Sequence, residues 1–211
     1  MTIVLHDYWR SSASWRVRIC LALKGVDHET VPVNLLTGEQ AAAANLTINP
    51  QGLVPSLVVD GRPLVQSLAI IDWLDATFPD PPLVSRDPFV RAAQLARALV
   101  IAADIHPLDN LRVLRRLETQ FGADQAARDA WYAHWIVAGL TALEAMADAG
   151  AGPFLGGDAA DISDVCLVPQ LANARRFAVP LDAFPRLLAA EAACLALPAF
   201  RVTAPENVRP A

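Results

Sequence analysis

Apolar and polar positions follow two different patterns along these 211 residues. Up to residue 82, short strand-like and helix-like stretches alternate. Residues 3–5 read as a strand, 15–24 carry helical periodicity, and 29–33 read as a second strand after the Gly25 stop. Residues 39–46 predict a short helix. Strands at 56–59 and 64–65 are joined across Asp60-Gly61, the strongest hairpin signal in the chain. Ser67 is expected to cap a helix reaching Phe78, which Pro79-Asp80-Pro81-Pro82 ends. The resulting order, βαβ-α-ββα, predicts a small mixed sheet covered by helices. Beyond it the strand signals fade. Residues 86–120 carry long helical periodicity around His106-Pro107, and 123–149 carry another stretch with Trp131, Trp135, Leu140 and Leu143 on its apolar side. Asp161-Ile162-Ser163-Asp164 opens a third helix running to Phe177, with Asp161 as N-cap and Asp164 as the capping-box acid. Pro185 starts a last short helix. The expected organisation is an α/β domain over 1–82 and an all-helical domain over 86–211.

The junction between the first strand and the first helix reads Arg10-Ser11-Ser12-Ala13-Ser14-Trp15-Arg16. A helix start leaves N–H groups unpaired and carries partial positive charge, so it suits an anion or thiolate. Ser11, Ser12 and Ser14 add hydroxyl donors, and Arg10 and Arg16 add fixed charge. A plain N-cap is the alternative, for which one serine suffices. Further on, Val54-Pro55 stands immediately before a strand. A trans bond is the ordinary form; a cis bond would leave the Val54 N–H and C=O facing outward to pair with an extended peptide. Gln66-Ser67 stands at a helix start and offers N–H groups and a hydroxyl to a carboxylate, or merely a cap.

Composition narrows the field. Hydrophobic residues make up 54% of the chain, yet the richest stretch, 92–103, is broken by Arg97 and followed by Asp104, so no membrane span is expected. The N-terminus has no basic segment leading into an apolar stretch, which predicts a cytoplasmic protein. Cys20, Cys166 and Cys194 lie far apart with no metal-ligand spacing, so reduced thiols and no metal are expected. A net charge of −5 argues against nucleic acid as a partner. Lys24 is the one lysine, and the remaining basic residues are arginines, which recognise carboxylates through a planar fork.

Five motifs then occur in register. They are Ser11-Ser12-x-Ser14-Trp15-Arg16-Val17-Arg18-Ile19, Asn49-Pro50…Val54-Pro55, and Gln66-Ser67-Leu68-Ala69-Ile70-Ile71. The other two are Asp104-Ile105-His106-Pro107-Leu108-x-Asn110 and Val168-Pro169-Gln170-x-x-x-Ala174-Arg175-Arg176-Phe177. Together they resemble the zeta class of glutathione transferases nearly end to end. The resemblance implies a thioredoxin-like N-terminal domain, an all-α C-terminal domain, glutathione as cofactor, a homodimer, and a role in tyrosine and phenylalanine catabolism. The implied reaction is cis–trans isomerisation of maleylacetoacetate to fumarylacetoacetate by reversible thiolate addition to the double bond. Maleylpyruvate isomerisation, a haloacid-directed transferase activity and a non-catalytic binding module are the alternatives.

Carried over residue by residue, the resemblance implies that Ser11 faces the glutathione sulfur with Ser12 close by. Val54, ahead of a cis Pro55, pairs its backbone with the cysteinyl part. Gln66 and Ser67 hold the γ-glutamyl carboxylate, and Gln40, His106 and Asn110 are further contacts. Charge pushed onto the substrate carbonyl calls for preorganised donors, for which Arg10, Asn110 and His106 are candidates. A dicarboxylate substrate calls for arginines: Arg176 first, then Arg10 and Arg112. Arg175 and Arg176 point about 100° apart on a helix, so one of the two is expected to face a pocket. Ala13 replaces the cysteine that many members carry after the serine pair, which puts side activities in doubt. His106-Pro107 also fits a helix kink, and Trp131/Trp135 also fits core packing.

Overall fold

The computed structural model describes residues 1–147 and 152–210. It divides into two compact units, one of residues 1–83 together with the segment from Ala196 onward, the other Val84–Leu195.

The first unit is built on β1 (Ile3–Asp7), β2 (Glu29–Pro32), β3 (Ser56–Val59) and β4 (Arg62–Val65), in the sheet order β2-β1-β3-β4. β1 pairs in parallel with β2 and antiparallel with β3, and β3 pairs antiparallel with β4. This mixed sheet is the thioredoxin-like arrangement. Ile3, Leu5 and Asp7 of β1 are buried in the alternation a strand requires. Asp60 and Gly61 have φ of 46° and 79°, the paired positive values of a primed hairpin turn.

Helix α1 (Ser12–Leu23) is buried from Ala13 through Leu21 and shows no polar face. Such a helix needs cover on two sides. One side has α3 (Ser67–Thr77). The other has the segment from Ala196, which includes α9 (Pro198–Val202) and α10 (Pro205–Val208). The Trp15 indole N–H donates to Thr203 Oγ1 at 3.1 Å, and Arg18 Nε donates to the Thr203 carbonyl at 3.1 Å. Sequence reading placed all of 86–211 in the helical domain and stopped its helices at the one starting with Pro185. The final residues instead seal α1, because Thr203 supplies acceptors to two α1 side chains. The helix expected over 39–46 is also two pieces, a 3₁₀ turn Glu39–Ala41 and α2 (Ala43–Ile48), separated by Ala42 in an extended conformation.

The second unit holds α4 (Pro88–Leu99), α5 (Leu111–Phe121), α6 (Gln125–Met146), α7 (Ile162–Arg176) and most of α8 (Pro185–Ala196). The Asp161/Asp164 capping box expected at the start of α7 is present with both reciprocal bonds. Between α4 and α5 the chain forms a π turn, Val100–Ile105, closed by His106 N–H donating to the Ile101 carbonyl at 2.9 Å. Gly139 of α6 faces this turn: a Cβ there would overlap the Ile105 side chain. The buried stripe of α6 runs through Tyr132, Ile136, Leu140 and Leu143. Trp131 and Trp135 are half-buried beside it, edge to face at 5.6 Å, because the Trp131 N–H must reach the Leu108 carbonyl, 2.9 Å away. Residues 148–149 of the helix expected there lie outside the described residues.

Candidate active site

Sheet register gathers three of the sequence-predicted segments of the first unit. His6 of β1 lies opposite Ser56, and Ser56 lies opposite Val65. The exit of β1, the entry of β3 and the exit of β4 therefore share one end of the sheet. The Ser11-Ser12 turn, Val54-Pro55 and Gln66-Ser67 are the residues that emerge there.

Ser11 is the N-cap of α1. Its Oγ accepts the Ser14 N–H at 3.2 Å, and its own N–H donates to the Tyr8 carbonyl at 2.8 Å. With one lone pair engaged by Ser14, the hydroxyl proton remains to be given outward. Ser12 is half-buried beside it. Capping and anion binding, posed above as alternatives, are compatible. Arg16 does not charge this turn as expected: it is 1% exposed and its Nη1 donates to Ser67 Oγ at 3.4 Å, joining α1 to the start of α3. Ser14 is buried as well. Arg10 is exposed, its guanidinium 5.6 Å from the centre of the Trp9 ring.

The Val54–Pro55 peptide is cis, and among the described residues Val54 makes no backbone hydrogen bond. The loop ahead of it is held by buried Asn49, which accepts the Gln51 N–H at 3.0 Å and donates to the Leu53 carbonyl at 3.0 Å. Gln66, not Ser67, is the N-cap residue of α3. Its φ of 70° is unusual for a residue with a Cβ, and such backbone costs about 1–3 kcal/mol and concentrates at ligand clamps. The Gln66 amide donates to Gln51 Oε1 at 2.6 Å. Gln40 Oε1 is a buried oxygen without a hydrogen-bond partner.

In the second unit, His106 is half-buried at the end of the π turn and Asn110 is the N-cap of α5, accepting the Arg112 N–H at 3.1 Å. That leaves the Asn110 amide protons to donate. Arg112 is exposed. Arg175 and Arg176 diverge as helix geometry requires. Arg175 forms an ion pair with Glu191, 2.6 Å from Nη1 to Oε1, whereas the Arg176 guanidinium lies 4.8 Å from the Phe177 ring centre. Tyr132 stacks on Phe177 at 3.6 Å and accepts a hydrogen bond from the Asn173 amide. Burial raises the Tyr132 hydroxyl above its ordinary pKa, against the nearby Arg176, which favours the phenolate. Asp109 also acts on Tyr132; it is buried, both its oxygens lack hydrogen-bond partners, and burial pushes its carboxyl up to about 8. Sequence reading missed Asp109 and Tyr132. The x in His106-Pro107-Leu108-x-Asn110 hid the first, and an apolar helix hid the second.

No protein thiol is positioned to act as a nucleophile. Cys20, Cys166 and Cys194 are all buried, and none is in a disulfide. Burial pushes the Cys20 thiol up to about 12 and raises Cys194 too, so neither is ionised near neutral pH. Among the described residues no group of His, Cys, Asp and Glu is placed to hold a metal ion, and no helix is long and apolar enough to cross a membrane.

Comparison with known proteins identifies the family. Residues 5–82 match the model of the glutathione S-transferase N-terminal domain. The chain is 46% identical over 206 residues to maleylacetoacetate isomerase of Pseudomonas aeruginosa, covering 96% of each. The holo structure of a maleylpyruvate isomerase, a bacterial zeta-class glutathione S-transferase, superposes with a TM-score of 0.95 at 43% identity, covering 98% of both chains. A maleylacetoacetate isomerase from Methylobacterium extorquens with bound malonate and glutathione gives 0.94 at 37% identity, over 99% of this chain and 100% of the other. The chain belongs to the zeta class of the glutathione transferase family, among its maleylacetoacetate and maleylpyruvate isomerases.

Proposed function

We propose that this chain is a glutathione-dependent cis–trans isomerase acting on maleylacetoacetate. The observation that carries the reading is the Ser11 hydroxyl, which accepts the Ser14 N–H and keeps its own hydrogen to donate, in a chain whose own thiols are buried. The first unit fits glutathione on its own terms. Val54 offers unpaired backbone groups, Gln40 an orphaned amide oxygen, and Gln66 a strained backbone at the start of α3. Val54, ahead of Pro55, would take the cysteinyl backbone, and Gln66, Ser67 and Gln40 would take the γ-glutamyl end. When bound, glutathione supplies a sulfur nucleophile whose reversible addition makes the conjugated double bond single for long enough to rotate.

The chain's residues supply the rest. Ser11, aided by Ser12 and the unpaired N–H groups opening α1, stabilises the sulfur anion, whose free thiol otherwise titrates at roughly 8.5. The Asn110 amide and His106 are assigned to the charge that develops on the substrate carbonyl. Arg10, Arg112 and Arg176 are assigned to the two carboxylates; Arg175 is not, since Glu191 occupies it.

Maleylpyruvate is the second reading, favoured by the TM-score of 0.95 to an isomerase of that substrate. Side-by-side turnover of the two compounds, with and without glutathione, tests both. Glutathione-dependent loss of either cis substrate supports the reading, and the ratio of kcat/KM values chooses between them. No turnover of either despite bound glutathione overturns it. A homodimer and a cytoplasmic location belong to the same reading. Exposed Phe89 and Val90 on α4 support the first, and three cysteines outside any disulfide support the second.

A further inference from the structure

The segment after α10 returns to the turn ahead of α1. The Arg209 guanidinium lies 5.1 Å from the centre of the Trp9 ring, and that of Arg10 lies 5.6 Å from the same centre. Both arginines are exposed, and among the described residues neither has an acidic or hydrogen-bonding partner. Each cation–ring attraction is worth about 0.5–1 kcal/mol at an exposed site and leaves the N–H fork of the guanidinium unoccupied. A ligand with negative charge fits those open N–H groups.

The platform beneath them is fixed. Arg18, 5% exposed, donates to the Trp9 carbonyl at 2.9 Å and the Thr203 carbonyl at 3.1 Å, while Asp7 holds its Nη1 at 2.7 and 2.8 Å. One buried guanidinium thus ties both the turn and the final segment to β1. Arg10 adjoins Ser11 in the chain, so the Trp9 ring that both cations share belongs to the same turn as the proposed sulfur site. Planar guanidinium forks match carboxylates bidentately, and two forks match a ligand with two carboxylates.

We propose that Arg209, held with Arg10 on Trp9, is a substrate-binding residue that takes one carboxylate of the dicarboxylate. This inference rests on the isomerase reading for its ligand. It adds a specificity determinant from a segment in which neither motif nor periodicity marks a site.

Malonate, a dicarboxylate that cannot be isomerised, separates the two claims. Its binding in the presence of saturating glutathione is measured by calorimetry for wild type, Arg209→Gln and Arg209→Lys, with thermal unfolding as the folding control. Arg209→Gln is expected to weaken malonate about tenfold, as loss of a charged hydrogen-bonding partner does, and to leave glutathione affinity unchanged. Arg209→Lys is expected to fall between, since charge remains without the fork. Malonate bound equally by wild type and Arg209→Gln overturns the proposal, as does no binding by wild type or a matching loss of glutathione affinity. Turnover of maleylacetoacetate by wild type is read separately, so a failed isomerase reading remains distinguishable from a failed role for Arg209.

Discussion

The Ser11 hydroxyl oxygen sits 3.2 Å from the Ser14 amide nitrogen and accepts its proton. One atom thereby caps α1 and is oriented as a donor. Ser11→Ala removes both roles. It is expected to cost about 1 kcal/mol of stability, as loss of a serine cap does, and far more than that in isomerase rate. Ser11→Gly, which costs only a few tenths of a kcal/mol at a cap, should restore stability without restoring rate. Denaturation midpoints read beside kcat separate the two contributions.

Arg175 and Arg176 offer a crossed pair of outcomes. Arg175→Ala leaves Glu191, 4% exposed, without its partner and should destabilise by about 1–3 kcal/mol with little change in kcat/KM. Arg176→Ala should do the reverse, lowering kcat/KM for the dicarboxylate at nearly constant stability. Urea unfolding and steady-state kinetics on both variants check this, and an exchange of the two phenotypes would reassign the arginines.

Asp109 gives the fold a pH dependence. Its carboxyl titrates at about 8 when folded and at roughly 3.9 in an unfolded chain, so between those values the folded protein binds more protons. Stability should therefore decline as pH rises through that window, by up to about 1.4 kcal/mol per pH unit, and level off above it. Asp109→Asn keeps the shape without the charge. Its advantage over wild type should be small near about pH 5 and larger near about pH 8 in urea titrations. An advantage independent of pH would contradict the assignment.

Gly139 admits Ile105 of the π turn against α6. Gly139→Ala gains about 1 kcal/mol of helix propensity but forces a fully buried side chain to move, an overpacking cost of about 1–3 kcal/mol. The expected net is a loss of stability that disappears against an Ile105→Ala background, where both overlapping atoms are gone. Thermal unfolding of the single and double variants measures it.

Local chemistry was legible where a few adjacent residues decide the structure. Asp60-Gly61 set the hairpin, and β3 runs over the expected 56–59. Asp161 and Asp164 set the start of α7. What stayed hidden depends on distant partners. Arg16 was expected to charge the serine turn and Arg18 stood only within a motif, yet both are buried: Ser67 lies against the first, and Asp7, Trp9 and Thr203 surround the second. The π turn comes from one extra residue per turn beside Gly139, which leaves no mark in apolar periodicity. In the candidate site, the serines and Gln66 were visible as helix-start chemistry. Arg209 was not, because a single arginine after Pro205 gains meaning only from the Trp9 ring it reaches.

Central to the mechanism is the hydrogen bond that the Ser11 hydroxyl donates to a bound sulfur anion. The most direct measurement is the ultraviolet absorbance of thiolate in the glutathione complex, titrated with pH for wild type and Ser11→Ala. Wild type should hold glutathione ionised near neutral pH, and the variant should titrate closer to the free thiol value of roughly 8.5. Identical titrations with glutathione equally bound would show that Ser11 does not stabilise the anion, and the mechanism built on it would fail.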